Sequence, residues 1–429
     1  MDRRLQRRYQ QMVQQHMKSG NRNSSGPALM PGENQAATAT QAAWRFLNNP
    51  NVLLGDLIEP LRQAGKEACS QSDSDYVLLA HDWSKIDYKT HSRKGDLRQI
   101  THQEDVGYEM ATSLLVDAAT GDSLAPMQMH LTTSEAVHST AMDVPEPDSH
   151  RLDQVAPTMR EAEHWDLPRR VVHVIDREAD TLGRMRQWDA EGHLFLVRCD
   201  DRRVMWNDQS VLISQIGDHF DSEVLFEPCG DALYHGKNVS QEVAQTDVVL
   251  HRPHSEVVDG EKRTVAGQPL PVRLVLTRLV DEDGFIVAQW NLLCNVFDAG
   301  VSAYQIALWY YWRWLIETFF KLLKSHGQEL EQWQQQSGEA IARRILVASM
   351  ACVLVLKLQR DQSDQATETK KLLVRLSGRQ MKRGVISTAP ALLAGYMTLL
   401  SITDLLSSTD VDIGQLKRIA AEALPLGVV

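Results

Sequence analysis

The chain has 429 residues, 43% of them hydrophobic and 24% charged, and its 45 Lys+Arg against 56 Asp+Glu leave a formal net charge of -11. Such a composition supports two or three domains around buried cores and excludes a disordered or collagen-like chain. The acidic total also argues against a uniformly basic surface for nucleic acid, because phosphate neutralisation needs Lys and Arg. Cys69, Cys199, Cys229, Cys294 and Cys352 are scattered and never form a Cys-x-x-Cys pair. Neither a disulfide framework nor a zinc knuckle is expected, and a reducing, cytoplasmic compartment is. The longest clean apolar run, Ile345 to Leu356, is too short to cross a bilayer, and no secretory signal precedes it.

In chain order, residues 1–70 read as a helical region with a basic start. Asp2 to Arg22 holds Arg3, Arg4, Arg7, Arg8, Lys18 and Arg22 against Asp2 alone. Ser19 to Gln35 reads as a flexible connector, and Ala37 to Leu47 as a helix stopped by Asn48-Asn49-Pro50-Asn51. Residues 71–198 change character. Tyr76 to His81 is a short apolar strand followed at once by Asp82; Val106 to Asp117 and Pro126 to Thr133 are two more strands around a Gly121-Asp122 turn. Glu161 to Leu167 is weakly helical. Val171 to Ile175 is a buried strand ending at Asp176, Thr181 to Ala190 is helical, and Leu194 to Val197 is a strand with Arg198 after it. The expectation is an α/β layer with a partly antiparallel sheet. Gly and Pro then punctuate residues 199–300 into short β-rich runs such as Val272 to Val280 and Phe285 to Val296, which suggests a β insertion. Residues 301–360 return to helix, as one long element from Ser302 to Trp333 and another from Ala340 to Leu358. Residues 361–429 are helical after a polar stretch at Asp361 to Thr369.

Two aspartates directly after apolar strands can reach a metal ion at the rim of a sheet without being buried unpaired. Asp is also a common turn former at such places. The second constellation lies on the helix from Ser302. Tyr310, Arg313, Glu317 and Lys324 stand at offsets 0, 3, 7 and 14, within roughly 60° of one another at about 100° per residue. A solvated face with an Arg313–Glu317 pair would give the same pattern. A carboxylate among an arginine, a lysine and a tyrosine is also what a phosphodiester site requires. His81, His91, His102, His130 and His138 lack the spacing of a local zinc motif and read as core or surface histidines. Asp180 before Thr181 reads as a helix N-cap.

Tyr310-x2-Arg313-x3-Glu317-x6-Lys324 resembles the Tyr-Arg-Glu-Lys signature of the insertion-sequence-4 family of DDE transposases. Asp176-Arg177-Glu178-Ala179-Asp180 resembles that family's second-aspartate motif, and Asp82 stands where its first is expected. The Ala43 to Val52 segment and Gln289-Trp290-Asn291-Leu292-Leu293 are similar to further family segments, so the likeness covers roughly residues 40 to 360. It implies a ribonuclease-H-like catalytic core, interrupted by the β insertion, in which Asp82, Asp176 and Glu317 bind two Mg²⁺ ions, with Mn²⁺ able to substitute. It also implies phosphate contacts from Tyr310, Arg313 and Lys324, and stacking of Trp290 on a base flipped from the DNA end; Arg198, which follows a strand, is a further candidate for a backbone phosphate contact.

The implied activity is cut-and-paste transposition through strand cleavage, hairpin formation and strand transfer on double-stranded transposon-end and target DNA. A homodimer built partly on residues 361–429, and a bacterial, nucleoid-associated location, follow from the same likeness. The opening on Asp2-Arg3-Arg4 suggests a shortened DNA-binding region, so a non-cleaving copy that binds DNA or inhibits by mixed dimerisation is the alternative. A two-carboxylate glycosidase would explain the acids but not Arg313, Lys324 or Trp290.

Overall fold

Val77, Leu78, Leu79 and Ala80 are apolar on both faces, the pattern of a strand covered on two sides, and they run through the middle of the main sheet. In this computed structural model the described residues are 1–19, 33–147, 151–234, 236–258, 261–325, 327–408, 412–415 and 417–418. Strand β1 (Tyr76–Asp87) pairs antiparallel with β3 (Val106–Asp117), and β3 pairs antiparallel with β4 (Ser123–Thr132). Short strands β2 (Arg98–Gln99) and β5 (Val137–Ser139) border β3 and β4. On its other side β1 pairs parallel with β6 (Arg170–Ile175), which pairs parallel with β7 (Leu194–Cys199). The order β4-β3-β1-β6-β7, antiparallel on one side of β1 and parallel on the other, is the ribonuclease-H-like arrangement that the sequence resemblance implied.

Helices cover both faces. Two of them, α1 (Arg3–Ser19) and α2 (Glu33–Leu47), precede α3 (Leu54–Ser70), whose end packs with α4 (Val155–Glu163) over Val77 and Leu79. The face carrying Leu78 meets the later helix α9 (Gly338–Arg360) in the largest core cluster. Helix α4 lies upstream of the expected Glu161–Leu167 because Val155, Met159 and Ala162 supply a buried stripe at helical spacing. After α5 (Leu182–Ala190), strands β8 (Arg203–Trp206) and β9 (Gln209–Leu212) and helix α6 (Ile213–Ser222) open the insertion. It continues through β10 (Glu227–Tyr234), β11 (Lys237–Leu250), the separate hairpin of β12 (His254–Val258) and β13 (Glu261–Val265), β14 (Leu270–Val280) and β15 (Ile286–Cys294). Strand β15 returns antiparallel against β7, with Cys294 opposite Leu196, so β7's free edge is paired and the insertion extends the core sheet to 13 strands.

The expected helix from Ser302 to Trp333 is broken. Helix α7 (Ala303–Trp312) is capped by the Ser302 hydroxyl, and α8 (Leu315–Leu323) follows after Arg313 and Trp314. At the break the amides of Arg313, Trp314, Ile316 and Glu317 bond three residues back rather than four, which overwinds the chain. Helix α9 (Gly338–Arg360) is buried along most of its length. Helix α10 (Asp364–Ser377) starts inside the polar stretch because Ser363 caps it, and α11 (Ala389–Ser408) folds back on α10 and α1. The expected connector from Ser19 to Gln35 lies largely outside the described residues. Among the described residues no helix is long and apolar enough to cross a membrane.

Candidate active site

Asp82 does not follow its strand, as expected from the apolar run, but lies within it. Pairing of β1 to β6 ends at Ala80 opposite Val174, while pairing to β3 continues through Asp82 opposite Thr112. The hairpin therefore carries β1 past the edge of the parallel sheet as far as Asp87. Asp82 and Asp176 each stand two residues beyond the last paired residues, Ala80 and Val174, of these neighbouring parallel strands, and the charge of Asp176 is felt at Asp82. Asp176 is the first residue past β6, as expected, and caps the short helical turn Arg177–Ala179. Its Oδ1 accepts from the Glu178 amide at 2.9 Å.

Asp82 is largely buried and doubly held. Its Oδ2 accepts from Arg313 Nη1 at 2.6 Å, and its Oδ1 accepts from the Trp83 amide at 2.8 Å. Burial pushes its carboxyl pKa up, Arg313 and the Trp83 amide oppose that rise, and the Asp176 charge adds to it. The two aspartates therefore share one electrostatic site.

Arg313 reaches this site because the break between α7 and α8 turns it inward. It is buried, stands 5.7 Å from the Tyr310 ring centroid, and is kept charged by Asp82, Tyr310 and Asp176 against the cost of desolvation. Its Nε–H is buried with no acceptor among the described residues. An orphaned donor beside a bonded Nη1 leaves part of the guanidinium fork available to an anion. Burial raises the Tyr310 hydroxyl pKa, while Arg313 and Arg198 lower it, which places Arg198 of β7 in the same field.

Lys324 ends α8. Its Nζ donates to the Lys85 carbonyl, three residues beyond Asp82 on β1, and lies 3.3 Å from Glu331. Glu331 also accepts from the Asp87 amide at 3.2 Å. Glu317 is half-buried in the first turn of α8, the helix that packs against β1. The single helical stripe expected for Tyr310, Arg313, Glu317 and Lys324 is thus corrected, and so is its alternative, a solvated face. Overwinding changes the helical phase, Tyr310 and Arg313 are buried, and Lys324 stands beyond the helix. Among the described residues no three acidic, His or Cys side chains come together as a metal-ligand set. Trp290 is half-buried on β15 opposite Thr277, packed against the main core.

Several neighbours had no signal in the sequence. Glu331 holds Lys324 from a short helical turn, Leu330–Gln332. Arg151 bridges Glu109 of β3, at 3.0 Å, and Glu178 beside Asp176, at 2.6 Å. Asp180 is not the expected cap. Its Oδ2 takes Arg202 at 2.6 Å and accepts from the Asp200 amide, tying the Asp176 turn to the end of β7. His81 and His130 are core histidines, as expected; His81 stacks on His173 with Nε2 and Nδ1 3.0 Å apart.

Comparison with known proteins gives one family. Residues 73–354 match the family model described as "Transposase DDE domain". A search of curated proteins gives no match. Among solved structures, the piggyBac transposase synaptic complex with hairpin DNA, determined by cryo-EM, is similar at 10% identity and a TM-score of 0.35, over 98% of this chain and 76% of that one. The family match spans about two thirds of the chain and contains Asp82, Asp176, Tyr310, Arg313, Glu317 and Lys324. The chain belongs to the DDE transposase family.

Proposed function

We propose that the chain is a cut-and-paste DNA transposase of the insertion-sequence-4 type, working on double-stranded transposon ends and target DNA as a homodimer. The observation that carries this reading is the cluster at the strand ends: Asp82 in the field of Asp176, with Arg313 bonded to Asp82 and an unfilled Nε–H beside it. Two adjacent carboxylates with a partly committed guanidinium suit a phosphodiester and its charge.

The donor chemistry fits a hard cation. Asp82, Asp176 and Glu317 offer only carboxylate oxygens, which Mg²⁺ prefers, and the mutual charge of Asp82 and Asp176 is what a cation would relieve. Two Mg²⁺ ions, or Mn²⁺ in their place, would supply Lewis acidity at the scissile phosphate and a deprotonated water at neutral pH. The chain's own groups do the positioning. Arg313 holds a phosphate oxygen by its fork, Lys324 adds a point charge, and Arg198 and Tyr310 border the same phosphate. Trp290 stacks on an extruded base. The chemistry is cleavage of the phosphodiester at the element's end, attack of the freed 3′-hydroxyl on the opposite strand to close a hairpin, reopening, and joining to target DNA.

The test is divalent-cation-dependent nicking and strand transfer on DNA carrying the element's ends. A Glu317→Ala chain is expected to lose at least about 10³-fold in rate, the scale of removing a group that acts in the transition state. Wild-type rates from that variant would overturn the site.

A further inference from the structure

Between Thr369 and Thr403 the chain carries six Lys or Arg and no Asp or Glu, within a protein of net charge -11. This stretch lies beyond the family match, which ends at residue 354. Two of the six cations are used internally. Lys370 is buried and donates to the Gln359 and Asp361 carbonyls, fastening α10 to the end of α9, and Lys371 pairs with Glu368 at 2.7 Å. The other four, Arg375, Arg379, Lys382 and Arg383, are exposed, and no side-chain hydrogen bond or ion pair joins their charged ends to a described residue. The exposed Glu368, itself paired with Lys371, feels the Arg375 charge.

The fold fixes where these four cations stand. Arg375 stands in the last turn of α10, and Arg379 follows Gly378, whose left-handed φ of +66° ends the helix. Lys382 and Arg383 follow in the connection to α11. Helix α11 is clamped to α10, since a Cβ on Gly395 would stand 2.1 Å from the Leu373 carbonyl. Leu393 of α11 in turn presses on Gly327, three residues past Lys324. Ten residues separate Arg383 from Leu393, about half of them helical, so the basic connection lies within about 25 Å of the Leu393–Gly327 contact at the end of the catalytic helix. That is less than one turn of duplex DNA.

We propose that Arg375, Arg379, Lys382 and Arg383 form a second binding surface, one that takes the phosphate backbone of double-stranded DNA beside the Asp82, Arg313 and Lys324 site. The inference rests on the DNA reading above. Exposed cations left without acidic partners, in an acidic chain, are the residues available to replace counterions on a phosphate backbone. Nothing in this set reads bases, so the contact is independent of sequence and sets the path of the duplex.

The experiment compares the full chain with an Arg375→Gln, Arg379→Gln, Lys382→Gln, Arg383→Gln variant. It measures binding to 40-base-pair and 12-base-pair duplexes of arbitrary sequence by fluorescence anisotropy across a salt series. The slope of log affinity against log salt is expected to fall in magnitude by about 3 to 4, and affinity at moderate salt by at least about 10-fold. An Arg375→Lys, Arg379→Lys, Arg383→Lys chain keeps the slope. A loss seen only with the longer duplex means that the surface follows DNA already at that site. A loss with both lengths means that it takes a separate duplex, and either supports the surface. Unchanged slope and affinity in a normally melting variant overturn it while leaving the DNA reading standing. If the wild-type chain binds neither duplex, the DNA reading fails, and this inference with it. Should the fourfold variant melt early, the Arg379→Gln, Arg383→Gln pair carries the same test at half the slope change.

Discussion

The core strands and the insertion strands share one sheet but follow different rules of burial. In β1, β6 and β7, residues on both faces are sealed: Val77, Leu79, Val172, Val174, Leu196 and Val197 are all without exposure. Strand β15 changes rule along its length. Leu292, Leu293 and Cys294, which pair with β7, are sealed, whereas Ile286 and Val287 toward the hairpin end are exposed. Helical cover, rather than membership of the sheet, decides which side chains leave water. The candidate site follows the same division. Asp82 and Arg313 stand where fields are strong because the core excludes solvent, while Trp290 sits where cover gives way to solvent.

The largest expected effect lies in an ion pair of the covered half. Asp82 and Arg313 side chains are 15% and 8% exposed. Arg313→Ala leaves a buried carboxylate without its partner and is expected to cost about 3–5 kcal/mol in urea denaturation. Adding Asp82→Asn should recover part of that loss, because a neutral amide no longer needs a counter-charge. The insertion offers the control. Arg278 holds Asp221, which is half exposed, and also Glu242. Asp221→Ala should cost no more than about 1 kcal/mol. Equal costs at the two pairs would break the distinction between the regions.

Acid provides the next measurement. His130 in the core and His16, which meets Gln328 from α1, are buried, and desolvation lowers their pKa values to about 4 and about 3. At His16 the charge of Arg344 lowers the pKa further, and the Gln328 hydrogen bond opposes both. A histidine with a lowered folded pKa is protonated first in the unfolded chain. Stability is thus complete above the unfolded value near 6.5 and is lost as pH falls from there toward the folded values. At pH 5 each contributes a loss on the order of 1–2 kcal/mol. Urea midpoints at pH 7.5 and pH 5 should show it, and a His130→Gln chain should show a shallower fall. A wild-type midpoint that does not move would mean that these rings are already solvated.

Much of the core was legible because its signals are local. Apolar runs at Tyr76 and Val171, each leading into an aspartate, marked the two central strands, and Gly and Pro marked the insertion. The continuation of β1 was hidden by Asp82, Ser84, Lys85 and Asp87, polar residues that read as a loop. They remain in the strand because β3 supplies a ladder and Ile86 is fully buried between them. The break in the helix at Arg313 was equally hidden, since neither Pro nor Gly stands between Ser302 and Lys324. An ion pair to a strand more than 200 residues upstream turns the side chain inward there, and no local pattern carries that information. Glu331 has the same character: its partners, Lys324 and the Asp87 amide, come from different elements.

The smallest expected effect is at the far end of the insertion, where β14 turns into β15. Asp281 accepts from the amides of Asp283 and Phe285, at 3.1 and 2.8 Å, and Gly284 takes a φ of +85° to complete the turn. The turn is thus held by backbone geometry and one carboxylate, leaving Phe285 69% exposed and outside the core clusters. Replacing Phe285 by Ser removes little packing and keeps the amide that Asp281 needs. The expected change is within about 0.5 kcal/mol, the range for surface positions. Denaturation should be followed at two protein concentrations. A loss above about 1 kcal/mol at the higher concentration that shrinks on dilution would show that the exposed ring is covered by a second copy of the chain, because linkage makes such stability depend on concentration. The insertion tip would then be buried by assembly rather than by helices, and the division between the two halves of the sheet would hold only for the isolated chain.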